Sequence, residues 1–119
     1  PCLAPDSIVE VSSLISSKGA EPIAWGEMPP AEKGWLQLMK AMEECVIEAA
    51  ITGDYGLALE AFTMNPLIES GSEGKRVLDE LMVAHEKYLP QFKEKIQELQ
   101  AQGVETDEEV VTDLMRRGL

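Results

Sequence analysis

The sequence predicts an α+β fold that is predominantly helical, a short antiparallel strand pair followed by four to five helices. Three observations lead there. Residues 7–14, SIVEVSSL, mix β-branched and apolar positions with polar ones, as a half-buried strand does. From Pro30 onwards the apolar residues recur at three- and four-residue spacing. Caps and breakers at Gly53-Asp54, Asn65-Pro66, Pro90 and Gly103 divide that helical part into lengths typical of globular helices.

Within the first strand Ile8, Val9, Val11 and Leu14 carry the hydrophobic content. Ser16, Ser17, Lys18 and Gly19 form a turn signal, and residues 22–26, Pro-Ile-Ala-Trp-Gly, are a second short extended stretch, so a hairpin or a pair of neighbouring strands follows. One hairpin does not stand alone in water. It must rest on the helices or complete a sheet whose other strands lie elsewhere.

Pro30 suits the first turn of a helix, where its missing N–H would have had no partner. Trp35, Leu38, Met39, Met42, Val46, Ala49 and Ala50 form the apolar stripe of that helix, and Gly53 is a stop signal. Asp54 is placed to cap a second helix, in which Leu57, Ala58, Ala61 and Phe62 form the buried face and which Asn65-Pro66 should break. A third helix is expected after residues 69–72 and as far as about Tyr88, with Val77, Leu78, Leu81, Met82 and His85 on one side. Pro90 ends or kinks it. Phe92, Ile96 and Leu99 continue a helical period towards Gly103. Thr106 with Glu109 is a capping-box signature opening a last short helix that holds Val110, Val111, Leu114 and Met115. That end is strongly acidic, so a solvated helix and a packed one both fit it. The domain organisation expected is residues 1–103 as one domain and 104–119 as an acidic helix or tail.

The 119 residues carry 10 basic and 22 acidic side chains, a net charge of −12, with 45% hydrophobic residues. That supports one domain with a modest core rather than a disordered acidic chain. A nucleic-acid backbone or an anionic membrane surface is excluded as partner, because phosphate binding rests on clustered Lys and Arg and the only arginines are Arg76, Arg116 and Arg117. No run approaches the roughly 20 apolar residues of a membrane helix, and no basic-then-apolar signal segment opens the chain. A cytoplasmic location is the expectation. The chain starts at Pro1 and enters a strand almost at once, which reads as a piece of a longer protein.

No self-contained active site emerges. Glu44 and Glu48 lie one helical turn apart, but the sole histidine, His85, has Met82 three residues before it, so the Glu-x-x-His pairs of a di-metal bundle are missing. Cys2, Cys45 and His85 are isolated singles without the spacing of a zinc site, and Cys45 reads as a small buried hydrophobe. There is no Gly-x-Ser-x-Gly elbow. His85 reads as a partly buried histidine with a local hydrogen bond. Residues 71–74, Gly-Ser-Glu-Gly, precede a helix but lack the Gly-x-Gly-x-x-Gly order and the preceding strand of a dinucleotide loop. Trp25 and Trp35, at the strand-to-helix junction, are expected to pack in a core or an interface.

The segments IVEVSSLIS, GAEPIAWGEMPP, EAAITGDYGLALEAFTMNPLI and VLDELMVAHEKYLPQF, spanning residues 8–92 in that order, resemble the C-terminal part of family 4 glycoside hydrolases, most closely the 6-phospho-β-glucosidases. The resemblance implies the C-terminal domain of a lactate/malate dehydrogenase-like architecture, whose N-terminal Rossmann domain binds NAD. It implies hydrolysis of 6-phospho-β-glucosides, a phosphorylated disaccharide or aryl glucoside, by hydride abstraction, proton abstraction, elimination and reversal of those steps. It also implies a divalent metal, typically manganese, held by a cysteine and a histidine, a tyrosine base, and a homo-oligomer.

The glycine-rich loop, the metal ligands and the base belong to upstream segments of that family. Cys2, Cys45, His85, Tyr55 and Tyr88 therefore inherit no role, and no catalytic, cofactor-binding or metal-binding residue is expected here. The chain alone is expected to be inactive and to self-associate through the strand edge or the Trp25 and Trp35 surface. A free-standing acidic helical interaction module is the alternative.

Overall fold

A computed structural model describes residues 2–24, 26–104 and 106. In chain order it holds strands β1 (Ser13–Ser16) and β2 (Gly19–Pro22) and helices α1 (Pro30–Thr52), α2 (Tyr55–Met64) and α3 (Gly71–Ala84). Two short 3-10 turns, Glu86–Tyr88 and Pro90–Phe92, lead into α4 (Lys93–Ala101). The expected strand pair and helical majority are present. The chain divides into two compact units, Pro1–Lys40 and Ala41–Leu119, and the boundary falls inside α1.

In the first unit β1 and β2 pair antiparallel, Ser13 opposite Pro22 through Ser16 opposite Gly19, around the two-residue turn Ser17-Lys18. Gly19 adopts φ 112°, a conformation that side chains disfavour, and the Lys18 N–H donates to Ser16 Oγ. The strands sit closer to the turn than residues 7–14 and 22–26 suggest. A β-rich composition becomes a strand only where another chain segment lies opposite, and pairing spreads outward from the turn. Beyond the ladder it reaches one more bond, from Ile23 N–H to the Ser12 carbonyl. Residues upstream are tied instead to α1, by Gln37 Nε2 donating to the Cys2 carbonyl and Lys40 Nζ to the Ile8 carbonyl. Leu14 and Ile15 point to opposite faces of the hairpin, and they are 60% and 74% exposed. Neither face is therefore packed.

The second unit is held by local signals at every joint. Gly53, at φ 75°, donates its N–H to the Ala49 carbonyl and ends α1. Asp54 Oδ1 then accepts the Gly56 and Leu57 N–H groups at 2.7 and 3.2 Å and caps α2. α2 stops before Asn65, whose side chain accepts the Leu67 N–H in a tight turn. Ser70 Oγ accepts the Glu73 N–H at the start of α3.

The third helix ends at Ala84, short of Tyr88. Proline at 90 pushes Leu89 out of the helical region, to φ −121° and ψ 55°, and the chain turns the corner in two 3-10 steps. α4 closes on Gly103 at φ 81°, with the Val104 N–H bonded to the Leu99 carbonyl, and Val104 packs back on the core.

The core gathers Ala49, Ala58, Leu78, Met82, Phe92, Ile96 and Leu99, and of these Ile96 and Leu99 are fully buried. Gly74 lets α3 approach the end of α2 and the loop after it, since a Cβ there would stand 3.2 Å from Ile68 Cγ2 and 3.7 Å from the Phe62 carbonyl. Only Ala49 of the apolar stripe on α1 is buried, while Trp35 and Val46 stay 54% and 47% exposed. That stripe is correctly amphipathic but mostly uncovered, because α2, α3 and α4 pack chiefly on one another. His85 and Cys45 depart from expectation too: His85 is exposed and Cys45 half-buried. Trp25, Glu109 and the last-helix residues Val110, Val111, Leu114 and Met115 lie outside the described residues.

Candidate functional site

Among the described residues an apolar groove of about 380 Å³ lies in the second unit. α1 contributes Val46, Ala49 and Ala50, which helical geometry places on one face. α2 adds Ala58 and Phe62, one turn apart. Leu78, Leu81, Met82 and His85 follow the i, i+3, i+4, i+7 spacing of α3 and its cap, and the 3-10 turns add Tyr88, Leu89 and Phe92. Small residues on two helices make the hollow, and aromatic rings close its end. The volume lies within the range of roughly 300–1,000 Å³ usual for ligand pockets. The walls, however, offer only the His85 ring and the Tyr88 hydroxyl as polar groups, so the groove suits packing and not acid–base chemistry.

The polar counterpart is a fastening between helices. Asp79 on α3 is 5% exposed and accepts the Tyr55 hydroxyl at 2.5 Å, while Lys75 Nζ donates to its other carboxylate oxygen. Lys95 of α4 lies 4.6 Å above the Tyr55 ring and also meets Glu98. Burial, reinforced by the hydrogen bond to Asp79, pushes the Tyr55 pKa above the ordinary tyrosine value. The hydrogen bond to Asp79 raises that of Lys75 likewise. A tyrosine held protonated, with its proton already given to a buried carboxylate's hydrogen bond, acts as a clasp and makes a poor base.

Other expected candidates stay apart. Burial first, then Glu60, Glu48 and Glu44, raises the Cys45 pKa, so its thiol is kept from the reactive thiolate form. Arg76 is taken up by Glu73 at 2.6 Å and Glu80 at 2.7 Å on its own helix, which leaves its guanidinium poorly placed for a phosphate. The glycines at 71–74 do not shape an anion loop: Ser70 caps that helix end and Gly74 is a packing contact. Among the described residues no three His, Cys, Asp or Glu side chains come together as a metal site. Neither NAD nor a divalent metal fits the described residues. No helix among them is long and apolar enough to cross a membrane.

Reading the residues one by one missed the groove and the buried Asp79. The α3 spacing announced the groove's wall, but nothing local announced that α1 would leave it open. Asp79 could have been suspected from Met82 and Val83, three and four residues on, which share its side of α3.

Comparison with known proteins gives this chain a lineage. The model of the family 4 glycosyl hydrolase C-terminal domain matches residues 1–68. A probable 6-phospho-beta-glucosidase of Bacillus subtilis (strain 168) is 47% identical over 92 residues, covering 77% of this chain and 21% of that protein. A maltose-6'-phosphate glucosidase of Fusobacterium mortiferum is 32% identical over 87 residues, covering 73% of this chain and 20% of the relative. Among solved structures, a 6-phospho-alpha-glucosidase from gut microorganisms, in complex with NAD and glucose-6-phosphate, superposes with a TM-score of 0.67 at 37% identity. The match covers 77% of this chain and 21% of that one. The chain thus spans about a fifth of the length of these relatives. With its family model matched over more than half its residues and its fold shared with a solved relative, the chain belongs to the family 4 glycosyl hydrolases and carries their C-terminal domain.

Proposed function

We propose that this chain serves as the C-terminal domain of a 6-phospho-β-glucosidase that depends on NAD and on a divalent metal, manganese in the first instance. The observation that carries the reading is the 47% identity to the Bacillus subtilis protein, against 32% to the maltose-6'-phosphate glucosidase and 37% to the structurally similar α-glucosidase. NAD in the latter structure supports a cofactor of that kind for the whole enzyme. When bound, NAD would accept and return a hydride at the sugar, and the metal would polarise the substrate oxygens.

On this reading neither group is held by the described residues, and that chemistry belongs to other parts of the enzyme. What this chain contributes is scaffolding. The α2–α3–α4 core holds an apolar groove and an uncovered α1 face ready for further protein surface, and the hairpin presents unpaired edges for a larger sheet. Residues 1–103 would act as the substrate and oligomerisation domain and 104–119 as a separate acidic segment. The whole would be a cytoplasmic homo-oligomer acting on a phosphorylated disaccharide or aryl glucoside.

The test replaces the matching C-terminal part of the Bacillus subtilis relative with this chain and assays the folded hybrid with NAD and manganese. Hydrolysis of an aryl 6-phospho-β-glucoside, with the α anomer turned over poorly, is expected. A folded hybrid that hydrolyses only 6-phospho-α-glucosides would overturn the anomer assignment. A folded hybrid inactive on both would overturn the role as an interchangeable catalytic scaffold.

A further inference from the structure

We draw no further inference here: the strongest candidate, the apolar groove walled by the C-terminal half of α1, by α2 and by α3 with His85 and Tyr88 at its rim, carries none because nothing among the described residues shows what covers it.

Discussion

The Tyr55 hydroxyl on α2 donates to the carboxylate of Asp79 on α3 across 2.5 Å, and this bond reaches the only buried charged side chain among the described residues. Lys75 neutralises the same carboxylate from the solvent side. Removing one donor leaves a buried oxygen short of a partner, which costs about 1–3 kcal/mol. Tyr55→Phe should therefore lower the unfolding free energy by that much at neutral pH, read as a lower urea midpoint with an unchanged denaturant slope. An unaltered midpoint would show that Lys75 alone satisfies Asp79.

The same clasp sets the alkaline limit. The Tyr55 pKa is raised on folding, so its contribution is fully present below the ordinary value of 10.0 and is lost as pH rises through the shifted one. Lys75, raised from 10.5, acts in the same direction. Thermal midpoints should fall above about pH 10, and in Tyr55→Phe the fall should be shallower because only the lysine part remains. Equal slopes in the two proteins would sink this assignment.

Gly53 carries two demands at once. Its φ is 75°, and a Cβ placed there would lie 2.3 Å from the Gln91 carbonyl oxygen. Gly19 also has positive φ, 112°, yet a Cβ there meets nothing within 4 Å. Gly19→Ala should cost only the backbone strain, about 1 kcal/mol, whereas Gly53→Ala adds a clash with backbone and should cost clearly more. Calorimetry on the pair decides it, and equal losses would mean that the Gln91 turn moves freely.

α4 follows the last of the family-like segments, which ends at Phe92, yet it supplies Ile96 and Leu99, both 0% exposed. Ile96→Ala should destabilise the domain by about 2–5 kcal/mol. Ending the chain after Phe92 should abolish cooperative unfolding, since two fully buried side chains go with it. A sharp transition in the shortened chain would show that α4 is an accessory.

The 119-residue chain by itself should not hydrolyse aryl 6-phospho-β-glucosides when supplied with NAD, manganese and reductant, because no group of three metal-binding side chains converges among its described residues. Release of the chromogenic aglycone by the purified chain, above the rate of the buffer, would refute this.

Much of the helical part was legible from residues that act on their immediate neighbours. Gly53 as a stop, Asp54 as a cap and Asn65-Pro66 as a breaker each do what their chemistry dictates within three residues, so neither fold class nor joints required knowledge of distant packing. Family membership was equally legible, in the family-like segments between residues 8 and 92, and the family model matches residues 1–68.

Burial was not legible in the same way. The apolar spacing from Trp35 to Ala50 defines a face and leaves open what covers it: within the second unit, packing of α2, α3 and α4 on one another selected Ala49 and left Val46 exposed. Strand limits depended on which residues found a partner across the Ser17-Lys18 turn. His85 shares the spacing of Leu78 and Met82 but falls at the exposed C-cap of α3, while Asp79 is buried with Tyr55 and Lys75 both reaching it. Local chemistry thus determined the elements and their ends. Tertiary structure alone decided which faces are covered, because burial depends on residues far apart in the chain.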